Sequence, residues 1–267
     1  MTMKRRALFA VTLVMLACGG DSGQRAGEQG AHPAAAVELP SSSRSLAGAR
    51  DDDGRSRSVP GESATAESAT AAPLVIFLGD SLTAGFGLAE DEAYPALIAQ
   101  ELARRGQAAR VINAGVSGDT TAGGLARLSW LLGQRPDILV VALGANDGLR
   151  GLPLAATEEN LRQILSAAKA AKTPVLLAGM LLPPNYGPEY TAEFAALFRR
   201  LAQEFGVAFH PFLLEGVAGR PELNQADGIH PNAAGQHRVA TQLLTRLDPL
   251  LREIGDSGSR ASAPTLP

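Results

Sequence analysis

Five short, largely apolar runs recur along the chain, at residues 74–78, 110–114, 138–143, 175–180 and 207–212, most of them followed by glycine, proline or a small polar residue. Runs of that length bounded by turn residues suit strands buried on both faces of a parallel sheet. Between them, apolar residues return at helical spacing over 94–105, 122–132, 157–171 and 189–205, and a last amphipathic stretch covers about 232–253. Strand and helix therefore alternate, which implies right-handed βαβ crossovers. The pattern predicts an α/β fold: a three-layer α/β/α sandwich around a doubly wound parallel sheet of about five strands. The periodic material fills residues 73–252, enough for the core of one domain.

The flanking segments read differently. Residues 1–18 begin with Lys4, Arg5 and Arg6 and continue into an apolar run over 7–17, too short to span a bilayer and suited to an export signal. The single cysteine, Cys18, closes that run ahead of Gly19-Gly20, a pattern that resembles the lipobox of bacterial lipoproteins. The resemblance implies lipidation at Cys18 and attachment to the periplasmic face of a membrane. The alternative is an ordinary cleaved signal peptide with an incidental cysteine, and a soluble periplasmic or secreted protein. A lone cysteine excludes a disulfide within the chain. Residues 19–72 are rich in Gly, Ala, Ser, Asp and Pro with isolated aliphatics, so a disordered tether is expected there, and residues 253–267 read as a flexible tail. With 24 Lys and Arg against 27 Asp and Glu, charge points to no nucleic-acid partner. A monomer is expected.

In a doubly wound sheet, ligands bind outside the carboxyl ends of the strands, so the residues after each run are where chemistry is sought. The first run ends in Gly79-Asp80-Ser81-Leu82. The second leads into Asn113-Ala114-Gly115-Val116-Ser117-Gly118-Asp119, and the third into Gly144-Ala145-Asn146-Asp147. Before the last helix stands Asp227-Gly228-Ile229-His230-Pro231. A serine hydroxyl needs a base within hydrogen-bond reach, and the base needs a partner that fixes its tautomer. Ser81 as nucleophile, His230 as base and Asp227 as that partner supply the set, with Pro231 expected in the first turn of the helix. The oxygen of an attacked carbonyl needs fixed donors. Three candidates are the N–H of Ser81 at a helix start, the N–H of Gly118 in a turn, and the side-chain amide of Asn146. Taken singly each has an ordinary reading: Gly118 as a turn glycine, Asn146 as a loop cap, Asp80 as a helix cap, His230 as a surface or core histidine.

Taken together, these four blocks resemble those of the SGNH/GDSL hydrolase family. Residues 79–85, Ser117-Gly118-Asp119-Thr120, Leu125-Ala126-Arg127-Leu128, 146–151 and 182–187 are similar to its bacterial periplasmic thioesterase, lysophospholipase and arylesterase branch, and the likeness covers essentially all of residues 73–252. The resemblance implies a serine esterase acting on carboxylic esters, including aryl esters and lysophospholipids, and on acyl thioesters, through an acyl-enzyme on Ser81. It implies a triad of Ser81, Asp227 and His230 and an oxyanion hole of Ser81, Gly118 and Asn146. One departure is Ala145, where that branch usually carries Gly. Because the serine motif is not Gly-x-Ser-x-Gly, the α/β-hydrolase fold is disfavoured.

The acyl pocket is read from the loops after the third and fourth strands, residues 149–154 and 180–186. Leu149, Leu182, Pro183 and Tyr186, with Asp80, Leu82, Asp147 and Ile229 beside the motif residues, are the expected substrate contacts, and simple loop packing is the alternative for the loop residues. Trp130 reads as a core residue. No cofactor and no metal is implied: His32 lies in the tether, and His210, His230 and His237 show no paired ligand spacing. Three other readings stay open on the sequence. They are a carbohydrate O-deacetylase of the cell envelope, a non-catalytic lipoprotein that binds envelope ligands, and a flavodoxin-like nucleotide-binding domain, whose architecture fits but whose Gly-rich phosphate loop is missing.

Overall fold

The structure is a computed structural model; it describes residues 72–107 and 109–261, with side chains as far as residue 256. The export signal, Cys18, almost all of the tether and residues 262–267 lie outside the described residues. The domain is built on a five-stranded, all-parallel sheet of order β2-β1-β3-β4-β5. Its strands are β1 (Leu74–Gly79), β2 (Arg110–Gly115), β3 (Ile138–Ala142), β4 (Val175–Ala178) and β5 (Ala208–His210). The doubly wound, flavodoxin-like arrangement is thus present. Every residue of β1, β3 and β4 is buried, as the unbroken apolar runs require of strands covered on both faces, whereas edge strand β2 is only partly covered.

Helices α2 (Tyr94–Arg104) and α7 (Ala233–Ala261) pack together on one face. Helices α3 (Thr121–Gly133), α5 (Leu154–Ala170) and α6 (Pro188–Phe205) pack in series on the other. An edge-on aromatic contact joins the sheet to α2, Phe77 to Tyr94 at 5.6 Å between ring centroids, and a second pairs Phe194 with Phe198 along α6 at 5.3 Å. The chain leaves β1 for β2 on one side and then crosses to β3 on the other, so the strand order reverses beside the end of β1. That is where an open α/β sheet offers its ligand crevice.

Three expectations change. The last helix does not end near residue 253 but continues to Ala261, and Leu250, Leu251 and Ile254 carry its apolar stripe against the core. Pro231 is not in its first turn. It pairs with Asn224 in an isolated antiparallel bridge, and Asn232 caps the helix by accepting the Gly235 N–H at 3.0 Å. Trp130 lies on the outer side of α3 and is 68 % exposed, not in the core.

Candidate active site

Ser81 is the first residue of a four-residue helix, α1 (Ser81–Ala84), that follows directly from β1. The buried Asp80 caps this turn, its Oδ1 accepting the Leu82 N–H at 3.0 Å. The turn sits so close to the strand ends that a side chain on Gly79 would run into Thr83 and one on Gly115 into the backbone of Ala84. Asn113 fastens it sideways, donating to the Thr83 carbonyl and accepting from Gly115 N–H, both at 2.9 Å. Ser81 therefore inherits its position from two strands of the sheet.

The Asp227–His230 segment is the tip of a short hairpin closed by the Asn224–Pro231 bridge, with Gln225 N–H donating to the His230 carbonyl at 2.8 Å. Gly228, at φ 70°, supplies the left-handed turn. Asp227 Oδ1 accepts the N–H groups of Ile229 and His230 at 2.9 and 3.0 Å, and Oδ2 lies 2.6 Å from His230 Nδ1. These bonds, first the His230 N–H and then its ring, hold the Asp227 carboxyl down at about 2. On the far side of the ring, His230 Nε2 stands 2.9 Å from Ser81 Oγ. Phe86 packs against the imidazole with 4.6 Å between centroids, and Gln225 Nε2 donates to the Phe86 carbonyl at 2.6 Å, so the hairpin is tied to the loop that leaves α1.

Gly118 occupies a left-handed turn at φ 81°, in the loop between β2 and α3. Asn146 projects from helix α4 (Ala145–Leu149), which starts after Gly144 at φ 110°. Its Nδ2 donates to the Asp119 carbonyl at 2.9 Å and, at a longer 3.3 Å, to Asp80 Oδ2. Burial is the main reason that the Asp80 carboxyl is pushed up to about 6; the neighbouring Asp119 adds to this, while the Leu82 N–H and His230 oppose it. Ala145 is partly buried and packs against the hydrophobic core.

The expected substrate contacts divide. Asp80, Leu82 and Asp147 are withdrawn from that role by burial. Leu82 is part of the hydrophobic core. Asp80 caps α1, and Asp147 holds Thr121 N–H at 2.9 Å, Thr121 Oγ1 at 2.5 Å and Thr157 Oγ1 at 3.4 Å. Leu149, Leu182 and Tyr186 are half-buried, and Pro183 and Ile229 are exposed. Tyr186 Oη donates to the Leu149 carbonyl at 2.8 Å, joining the two loops, and Leu182 packs so closely on α4 that a side chain at Gly148 would strike it. Leu181, Leu182, Pro184, Pro188, Thr191 and Ala192 line a groove at this loop. Four large residues are exposed after the ends of β1 to β4: Leu152 and Leu181, within the two loops read as the acyl pocket, Val116, within the second motif block, and Phe86, which the motif reading did not name. Gln225 and Arg127, which form hydrogen bonds to the loops that carry the motifs, also went unassigned. Of these, only Arg127 carried a signal, its place in a family-like block.

Among the described residues, no cluster of three or more His, Cys, Asp or Glu is placed to hold a metal, and no helix is long and apolar enough to cross a membrane. A hydroxyl, an imidazole and a carboxylate in line, beside a glycine turn and a fixed amide, form an arrangement suited to acyl transfer.

Comparison with known proteins agrees with this geometry. Residues 77–238 match the model of the GDSL-like lipase/acylhydrolase family. The chain is 44 % identical over 182 residues to esterase TesA of Pseudomonas aeruginosa, covering 68 % of this chain and 90 % of that one. It is also 44 % identical over 184 residues to thioesterase 1/protease 1/lysophospholipase L1 of Escherichia coli K12, covering 68 % and 87 %. Among solved structures, the psychrotrophic esterase EstA from a Pseudoalteromonas species, inhibited by monoethylphosphonate, superposes with a TM-score of 0.64 at 32 % identity over 67 % of this chain and 98 % of that one.

Proposed function

The chain belongs to the GDSL-like lipase/acylhydrolase family, and from that premise we propose that it is a serine esterase hydrolysing carboxylic esters through an acyl-enzyme on Ser81. The substrates are aryl esters and lysophospholipids, with acyl thioesters as a further class, in keeping with the esterase and lysophospholipase relatives. The single observation that carries the reading is the relay Ser81 Oγ, His230 Nε2, His230 Nδ1, Asp227 Oδ2, with contacts of 2.9 and 2.6 Å.

In the first half-reaction His230 Nε2 takes the Ser81 proton as Oγ attacks the carbonyl carbon. Asp227 keeps the Nδ1–H side of the ring turned away from the serine and stabilises the imidazolium that forms. Its low pKa keeps it charged throughout the neutral range. The new oxyanion is received by the N–H groups of Ser81 and Gly118 and by Asn146 Nδ2. Of the two Asn146 bonds, the short one to Asp119 fixes the amide, and the long one to Asp80 is the one a substrate oxygen replaces. The imidazolium then protonates the departing alkoxide, phenoxide or thiolate. Water repeats the sequence on the acyl-enzyme, returning the proton to Ser81. The acyl chain lies against the apolar residues after β3 and β4, Leu149, Leu181 and Leu182.

The basic start and apolar run of residues 1–17 support export, and the setting of Cys18 supports a lipid anchor. The test of the catalytic reading is a kcat/KM profile over nitrophenyl esters of increasing acyl length, an acyl thioester and a lysophospholipid. Turnover of the esters that rises with acyl length beyond acetyl is the expected result. Hydrolysis confined to acetyl groups on sugars would contradict it.

A further inference from the structure

The three proposed oxyanion donors come from three separate pieces of chain, the end of β1, the loop after β2 and helix α4, and something must fix the distances between them. Arg127 is placed to do so. It lies in α3 with its side chain 25 % exposed, and each of its three nitrogens makes one bond to a different segment. Nη2 donates to the Gly79 carbonyl at 2.9 Å, two residues before Ser81. Nη1 donates to the Ala114 carbonyl at 2.6 Å, at the end of β2. Nε meets Asp119 Oδ2 at 2.9 Å, next to Gly118. The Asp119 carbonyl in turn accepts the short bond from Asn146 Nδ2. A contact thus leads from one guanidinium to each of the three donors. The start of α3 is shaped to admit this: Asp119 folds back over Gly123, where a side chain would collide with its carboxylate.

We propose that Arg127 is the positioning residue of the oxyanion site, setting the separation of the Ser81 N–H, the Gly118 N–H and the Asn146 amide without touching substrate. The inference rests on the catalytic reading above. A planar fork with three fixed donor directions is required, which a lysine ammonium cannot reproduce. Because small misplacements of fixed donors are felt mainly in the transition state, the effect falls on kcat and not on substrate binding.

The experiment compares Arg127→Met and Arg127→Lys with the wild type in the full chain, using p-nitrophenyl butyrate well below the melting temperature and a fluorophosphonate. For Arg127→Met we expect kcat to fall by roughly thirty- to a hundredfold with KM within about threefold, and the phosphonylation rate to fall with kcat. Arg127→Lys should recover part of the loss. A folded Arg127→Met variant with a lower melting temperature but wild-type kcat would overturn the proposal, since Arg127 would then be only a structural ion pair. If the methionine variant does not fold, the lysine variant decides: a reduced kcat at unchanged KM supports the role, and a wild-type kcat overturns it. Ser81→Ala run in parallel separates the two readings. An active Ser81→Ala sinks the nucleophile assignment itself, whereas an inactive one beside a kinetically normal Arg127→Met sinks only the positioning role.

Discussion

Asp80 and Asp227 both adjoin the Ser81–His230 pair, yet their surroundings are opposite. Asp80 is sealed at the end of the sheet, 1 % exposed, with its carboxyl pushed up to about 6 by burial. Asp227 stands on a hairpin with its side chain 38 % exposed, and three donors hold its carboxyl at about 2. The carboxylate that must stay charged opposite an imidazole is the solvated, well-donated one. The buried one serves as a helix cap. The two halves of the site differ in the same way. The Ser81 half takes its geometry from β1, β2 and the glycines that let α1 sit on them, while the His230 half depends on its own short-range bonds and on Gln225.

The largest expected effect of breaking this contrast is in the exposed half. Asp227→Asn keeps an oxygen for the Ile229 and His230 N–H groups but presents the wrong partner to the ring, so kcat should drop by roughly a thousand- to ten-thousandfold while the melting temperature barely moves. A variant retaining more than a tenth of wild-type kcat would mean that the ring is oriented by something else. In the buried half, Asn146→Ala should lower kcat by about a hundredfold or more with little change in KM. A change confined to KM would make Asn146 a substrate-binding residue.

The smallest effect is on stability. The folded pKa of Asp80 is raised from 3.8 to about 6, so its contribution to stability is fully present below pH 3.8 and is lost as pH rises through about 6. Asp227 has the opposite sign, its contribution being present above pH 3.8 and lost as pH falls through about 2. Asp80→Asn keeps a helix cap but cannot ionise. Urea midpoints at pH 4, 5, 6 and 7 should therefore show the variant gaining on the wild type as pH rises. A constant difference across that range would mean that Asp80 titrates as an ordinary surface carboxylate.

The fold was legible because unbroken apolar runs and helical periodicity are local signals, and each strand was placed to within a few residues. Ser81, Gly118 and Asn146 were read from short motifs that follow strand ends, and Asp227 and His230 from a short motif ahead of the last helix. Their immediate neighbours were not. A helix turns about 100° per residue, so Leu82 beside Ser81 and Asp147 beside Asn146 face the interior although the motif names them together. Phe86 and Gln225 left no signal, since the contacts of Phe86 with His230 and with Gln225 join segments about 140 residues apart. Trp130 was misplaced because a large aromatic on an amphipathic helix reads as core whichever side it takes.

The central claim is that Ser81 is the covalent centre. Treating the wild-type chain with a fluorophosphonate and locating the adduct by peptide mass spectrometry tests it most directly. One equivalent of phosphonyl group on Ser81, with no labelling of Ser81→Ala under the same conditions, is the predicted result. An adduct on another residue, or undiminished labelling of Ser81→Ala, would contradict it.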